Sequence, residues 1–312
     1  MGASYLEMSK REMEIRAEMA RELTSPCELC PRRCGVDRLS GERGFCKTPS
    51  RALISSYNLH FGEESPLVGT GGSGTIFFSG CNLGCVFCQN YEISHFTHEA
   101  TEVSDEDLAR IMLLLQEKGA HNINLVSPTH VVPHILSSLS IAVEKGLTLP
   151  LVYNTGSYDS TQTLGLLDGI VDIYLPDTKV FSSEYAEKYL HAVDYPEVAM
   201  DAISEMYRQV GDLVMDDRGV AIKGLLVRHL LMPDDIAGTR QWLEFIATSI
   251  SPHTYLNIMD QYRPCGEADR FPELMVTISP SQVREAKEMA RAMGFDRLDE
   301  RDISRLFFLL NR

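Results

Sequence analysis

Long apolar runs are missing from this 312-residue chain: none reaches the roughly 18 residues that a membrane span needs, and the N-terminal stretch is charged throughout, unlike a signal peptide. These absences lead to the expectation of a cytosolic protein with no membrane partner. Basic residues are also in deficit, 29 against 44 acidic ones, for a net charge of −15. A nucleic-acid backbone is recognised through clustered Lys and Arg, so nucleic acid is not an expected partner. Without an export signal, the eight cysteines read as reduced thiols and metal ligands, not as disulfides. No internal repeat or low-complexity segment interrupts the chain. The glycine-rich run Gly69 to Gly74 lacks the Gly-Lys-Ser/Thr of a phosphate cradle and the strand, loop, helix order that such a cradle needs, which leaves it as a connector.

What is present is concentrated in cysteine. Cys81, Cys85 and Cys88 are spaced C-x3-C-x2-C directly after the apolar run Thr75 to Phe78. A 4Fe-4S cubane normally takes four thiolates, and no fourth cysteine stands near, so one iron would be left open to a ligand that is not protein. An open metal position implies chemistry rather than scaffolding. A zinc site or three buried thiols are the alternatives. The spacing, with Phe87 just before the third cysteine, resembles the radical S-adenosylmethionine (SAM) superfamily. The resemblance implies that the amine and carboxylate of SAM chelate the fourth iron, and that an electron from the reduced cluster cleaves the sulfonium to a 5′-deoxyadenosyl radical. The cofactor then supplies the difficult chemistry, and the protein supplies orientation and exclusion of water.

At ~100 to 200 residues per domain, the chain has room for one barrel-sized domain and an appendage. A polar helix is expected from about Leu6 to Leu23, followed by a cysteine-dense loop and a strand at Ala52 to His60. From Thr75 onward, strand-like runs at Thr75–Phe78, Asn122–Val126, Leu151–Asn154, Val171–Leu175, Ala221–Val227 and Tyr255–Met259 alternate with helical patterns at Ser104–Lys118, Val132–Lys145, Ser182–Val210 and Pro233–Ile250. That alternation predicts βα units on a parallel sheet. A last helix carries Ser279 as N-cap, Pro280 at its first position, Gln282 closing a capping box and Gly294 at the stop. Six strands is the count of the radical SAM barrel. The expected fold class is therefore α/β, a partial (β/α)6 TIM-like barrel with an N-terminal cysteine-rich extension. Residues 1–50 form the helix and metal-binding segment, 51–300 the barrel and 301–312 a tail.

In parallel βα architectures the functional groups gather at the C-terminal strand ends. After the second strand stands Ser127-Pro128-Thr129-His130, where many radical SAM proteins carry a glycine-rich segment ending in Glu that binds the SAM amine. Ser127 and Thr129 are candidates to accept from that amine, with a helix cap as the alternative, and His130 reads as a polar residue of the barrel mouth, with a ligand or proton carrier as the alternative. Asn154 and Ser157, after the third strand, suit the ribose or carboxylate of SAM, or an ordinary turn. Asp177 and Lys179, two apart on an extended segment, point the same way and resemble the Asp-x-Lys of glycyl-radical activating enzymes. Arg228 offers a bidentate fork for a carboxylate, and Asn257 closes the set. Asp260 is expected to pair with Arg263, and Cys265 to be an ordinary thiol.

Cys27, Cys30, Cys34 and Cys46 form a second group, C-x2-C-x3-C-x11-C, with Pro26, Pro31, Gly35 and Gly44 as turn residues. Four thiols suit a tetrahedral zinc or a second 4Fe-4S cluster acting as an electron entry point. The segments Cys27–Val36, Tyr57–Glu64, Tyr174–Asp177 and Leu226–Leu230 resemble proteins of the pyruvate formate-lyase activating enzyme-like branch of the radical SAM superfamily. That resemblance implies a reductant such as flavodoxin or ferredoxin and hydrogen abstraction from an unidentified donor: a glycyl-radical enzyme, another peptide, RNA or a small molecule. A non-catalytic zinc or iron–sulfur protein presenting a partner surface is the reading from a different class.

Overall fold

Runs of β-branched and aromatic residues that are buried on both faces belong in the middle of a parallel sheet, and the computed structural model, which describes residues 2–299, arranges them so. Its strands are β1 (Ala52–His60), β2 (Ser73–Phe78), β3 (Thr101–Val103), β4 (Ile123–Val126), β5 (Leu151–Thr155), β6 (Ile173–Thr178), β7 (Val214–Met215), β8 (Ala221–Leu230) and β9 (Tyr255–Met259). β2, β4, β5, β6, β8 and β9 pair in that order, each parallel to the next. They are the six strands expected from the sequence. β1 pairs antiparallel with β2, β3 with β1, and the two-residue β7 with β8. Among the described residues no pairing joins β9 to β2, so the parallel-rich sheet stays open on that side. This mixed α/β arrangement is consistent with a partial barrel. The tail assigned to 301–312 lies outside the described residues.

Helix boundaries follow from local chemistry. The helix Asp105–Glu117 begins with a capping box: Ser104 Oγ accepts from the Asp107 N–H at 3.1 Å while the Asp107 carboxylate accepts from the Ser104 N–H at 3.4 Å. Three acidic residues in the first turn complement the helix dipole. Ser104→Ala is expected to lower stability by about 1 kcal/mol; an unchanged urea midpoint would show that the cap contributes nothing. The box predicted at Ser279 and Gln282 is formed, and Gly294 at the stop has φ +95°.

Two expected helices are broken. Ser182–Val210 is interrupted at His191, left-handed at φ 54°, and Pro196 opens a second helix, giving Ser183–Leu190 and Tyr195–Val210. Pro is suited to a helix start and not to an interior. Within Pro233–Ile250, Asp234, Asp235 and Gly238 all have positive φ, so the α-helix covers only Thr239–Phe245 before a π turn at Ile246–Ile250. β6 departs in the other direction. It runs three residues past the expected end at Leu175, through Pro176, because Asp177 and Thr178 pair with Arg228 and His229 of β8.

The N-terminal helix Lys10–Glu22 places Met13, Ala17 and Ala20 in the same apolar core as Ile135, Leu136 and Leu139 of the helix Val132–Glu144. The core therefore runs across the boundary drawn at residue 50. On the inner side of the sheet, Val152, Ile173, Leu175 and Leu226 are buried around Leu67, delivered by the short helix Ser65–Val68. That apolar floor leaves the polar residues one repeat further along each strand.

Candidate active site

Side chains of a strand alternate faces, so Asn154, Asp177 and Arg228, each two residues past Val152, Leu175 and Leu226, share the inner face with the apolar floor. They line a cavity of about 390 Å³ together with Cys81, Cys85, Cys88, Ser127 and Lys179. Asp177 accepts from Arg228 Nε at 2.6 Å and from Lys179 Nζ at 3.1 Å. Arg228 Nη2 also donates to Asn154 Oδ1 at 2.6 Å. Burial works against the Asp177 carboxylate, yet the Arg228 and Lys179 cations overcome it and hold its pKa below the ordinary value.

The triplet loop is pinned from several sides. Val86 N–H donates to the Tyr189 carbonyl, Glu267 N–H to the Val86 carbonyl, and Asn82 Nδ2 to the Tyr158 carbonyl at 2.6 Å. Phe87 is buried against Tyr262. Ser94 Oγ lies 3.3 Å from Cys88 Sγ. Burial pushes the Cys85 thiol up, with Lys179 pulling the other way. Among the described residues no three His, Cys, Asp or Glu side chains stand as a ligand set for one metal ion. A cubane gives each thiolate its own iron, so its ligands stand further apart than those of a single ion.

Three expected SAM contacts do not line the cavity. Thr129 Oγ1 is committed to Asp159 at 2.7 Å, Ser157 Oγ to the Asp177 carbonyl at 2.7 Å, and Asn257 Nδ2 to Glu64 Oε1 at 2.7 Å. Thr129 and Ser157 thus brace the strand ends from behind. Asp159 collects hydroxyls from Thr129, Tyr153 and Thr155, and burial raises its pKa. His130 is not at the barrel mouth as expected. It is buried, donates through Nε2 to the Ser79 carbonyl at 3.1 Å, and faces a second, smaller cavity that Cys27, Cys30, Cys34 and Cys46 line together.

Glu63 and Glu64 line the main cavity, and reasoning from strand ends missed both because they follow β1, which is antiparallel to β2. The available signal was the acidic pair closing the run Tyr57 to Glu64. Glu63 Oε2 meets Arg228 Nη1 at 3.4 Å. Burial first, and then Glu64 and Asp177 against the opposing pull of Arg228, push the Glu63 pKa up to about 7. A carboxyl whose folded pKa is raised costs stability as it is forced to ionise, so the cost grows as pH rises from the ordinary 4.5 to about 7. Relative to wild type, Glu63→Gln should therefore gain in urea midpoint between about pH 5 and about pH 8. Parallel pH profiles would place Glu63 in a solvated setting.

Glu64 Oε2 and both carboxamide atoms of Asn124 are buried and have no hydrogen-bond partner. Such groups are normally satisfied, and of these only Glu64 lines the cavity, so its Oε2 is an acceptor free for a polar ligand. Residues 75–215 match the family model of the radical SAM superfamily. Over 293 residues, 91% of this chain and 80% of the relative, the sequence is 30% identical to Uncharacterized protein MJ0674 of Methanocaldococcus jannaschii. The chain belongs to the radical SAM superfamily. Uncharacterized protein MJ0808 of the same organism is 26% identical over 144 residues, 41% of this chain and 42% of the relative. Membership in the radical SAM superfamily implies an enzyme that binds a 4Fe-4S cluster and SAM and cleaves SAM by a radical mechanism. The donor set fits both groups: three thiols on one pinned loop, with buried cations, carboxylates and an unpartnered Glu64 oxygen around the same space. No described helix is long and apolar enough to cross a membrane.

Proposed function

We propose that this protein binds SAM between the Cys81–Cys88 loop and the ends of β5, β6 and β8, and uses it to abstract hydrogen from a donor that reaches the cavity. The observation that carries the reading is that the three thiols and the buried Asp177, Lys179 and Arg228 set face one another across a single cavity. When bound, the cluster and SAM together supply reductive sulfonium cleavage and a hydrogen-abstracting radical. Cys81, Cys85 and Cys88 would hold three irons. Lys179 and Arg228 offer cations to the SAM carboxylate, and Asp177 fixes both in place. Glu63 and Glu64 offer negative charge to the amine or the sulfonium, a role for which the chain has no glycine-rich Glu segment after β4. Ser127, held at φ 56° with its N–H on the Asn154 carbonyl at 2.9 Å, adds a hydroxyl at the rim. Phe77, Leu83, Phe87, Leu230 and Met259 line the same space and exclude water from the reacting bond.

The finer reading places the chain in the pyruvate formate-lyase activating enzyme-like branch. It is supported by Asp177-Thr178-Lys179 and makes the hydrogen donor a peptide, a glycine backbone of a partner enzyme among the options, with flavodoxin or ferredoxin as the reductant of the cluster. Anaerobic reconstitution with iron and sulfide, then quantification of 5′-deoxyadenosine after addition of SAM and dithionite, tests the function. Deoxyadenosine formation is the expected result. A preparation that takes up zinc alone and forms none would sink it.

A further inference from the structure

The two cysteine groups, distant in sequence, are built against each other. Asn82 lines the small cavity of Cys27, Cys30, Cys34 and Cys46, while its neighbour Cys81 lines the main cavity. Neighbouring residues of one loop therefore line the two cavities. Glycines make the contact close. A Cβ on Gly80, at φ +83°, would stand 2.3 Å from the Cys46 carbonyl oxygen, and one on Gly84, at φ +71°, 2.8 Å from the Phe45 ring. Arg32, between Cys30 and Cys34, lies over the Phe45 ring at 3.8 Å and donates to the carbonyls of Asn82 at 2.8 Å and Leu83 at 2.9 Å. The N-terminal group is thereby clamped to the loop of the catalytic cysteines.

The small cavity has the features of a site that awaits an electrophile. Cys27, Cys30 and Cys46 are buried and Cys34 half-buried. His130, 2% exposed, also lines it. Its Nε2 faces a carbonyl and so carries the proton, which leaves Nδ1 as a bare lone pair, and Nδ1 has no partner. Gly44 keeps room for sulfur, since a Cβ there would lie 2.7 Å from Cys34 Sγ. The thiols surround one space, yet among the described residues no three of them are gathered as around a single ion. Zinc draws its sulfurs to ~2.3 Å from one centre. A cubane spreads four thiolates over four irons.

We infer that Cys27, Cys30, Cys34 and Cys46 hold a second 4Fe-4S cluster that relays electrons to the Cys81, Cys85 and Cys88 cluster. The inference rests on the proposed catalytic cluster. In the relay an external protein donor loses one electron, the N-terminal cluster gains it and passes it to the catalytic cluster, and no bond is made or broken on the way. The surface around the site suits an acidic donor. Although the chain carries a net charge of −15, residues 27–51 contain six basic and three acidic residues. Arg33, Arg43, Lys47 and Arg51 are exposed beside the exposed apolar Leu39 and Phe45. Charge complementarity of this kind speeds association and weakens with salt.

The test is a Cys81→Ala, Cys85→Ala, Cys88→Ala variant of the full chain, reconstituted anaerobically with iron and sulfide in the presence of zinc. The variant is expected to hold about four irons per chain and, once reduced, to give the electron paramagnetic resonance signal of a cubane. One zinc with no iron, or no metal, overturns the cluster. A Cys30→Ala, Cys46→Ala variant tests the relay. The ratio of its flavodoxin-driven to its dithionite-driven deoxyadenosine rate should fall at least about ten-fold against wild type, ~1.4 kcal/mol at the rate-limiting transfer. An unchanged ratio overturns the relay. If either variant fails to fold, metal in the wild-type protein decides: about eight irons per chain support the second cluster, and about four with one zinc refute it. Absence of deoxyadenosine from wild-type protein under dithionite would instead be a failure of the catalytic reading.

Discussion

Cys85→Ala is expected to abolish 5′-deoxyadenosine formation, a loss of at least about 1,000-fold, or about 4 kcal/mol of transition-state stabilisation. Cys85 is buried at the centre of the triplet loop, and without it the proposed cluster would lose one of its three protein ligands. The change is sterically mild. Alanine is smaller than cysteine, and the loop stays anchored by the Val86–Tyr189, Glu267–Val86 and Asn82–Tyr158 hydrogen bonds. A thermal midpoint within a few degrees of wild type would separate lost chemistry from lost folding. Full deoxyadenosine production by the variant under dithionite would remove Cys85 from the cluster.

Asp177→Ala is expected to destabilise the protein by about 3–5 kcal/mol, because it leaves two buried cations without their shared partner. Lys179 and Arg228 are each 15% exposed at the side chain, and both bind the Asp177 carboxylate directly. The sign of the pH dependence follows from the same contacts. The folded pKa of Asp177 lies below its ordinary 3.8, so its contribution is complete above 3.8 and is lost as pH falls through the lower folded value. Urea unfolding at about pH 7 measures the loss. A change under about 1 kcal/mol would mean that the pair is solvated and contributes as surface pairs do. Asp177→Ala combined with Lys179→Met should recover part of the loss, since Arg228 keeps Glu63 as a partner and the Lys179 charge is no longer stranded.

Both predictions rest on residues that could be named from the chain alone, and it matters why. Cys81, Cys85 and Cys88 sit within eight residues, and a short loop brings such thiols together whatever the rest of the fold does. Asp177 and Lys179 share a face because strand periodicity is two. The six parallel strands were legible for a similar reason: each is a short apolar run, and local burial pattern alone marks it. Glu63 and Glu64 were not legible as cavity residues, since they reach the site from a loop after an antiparallel strand, and no periodicity connects position 63 with position 228. Thr129, Ser157 and Asn257 have the chemistry of ligand-binding groups, yet their hydrogen bonds went to Asp159, to the Asp177 carbonyl and to Glu64. The split of 182–210 into two helices had a local signal in Pro196, which suits a helix start and not an interior, while the left-handed turn at His191 that ends the first helix had a weaker one.

By itself, then, the sequence determined the superfamily chemistry, the parallel αβ order and the two cysteine groups, because all three are written in spacings of a few residues. Tertiary structure alone decided that Glu63 faces Arg228, that His130 turns from the barrel mouth to the four-cysteine cavity, and that Gly80 and Gly84 let the segment of Phe45 and Cys46 pack against the Cys81–Cys88 loop. Contacts between residues 46 and 80, or 63 and 228, arise from the closing of the chain on itself. They depend on packing, which no local pattern encodes.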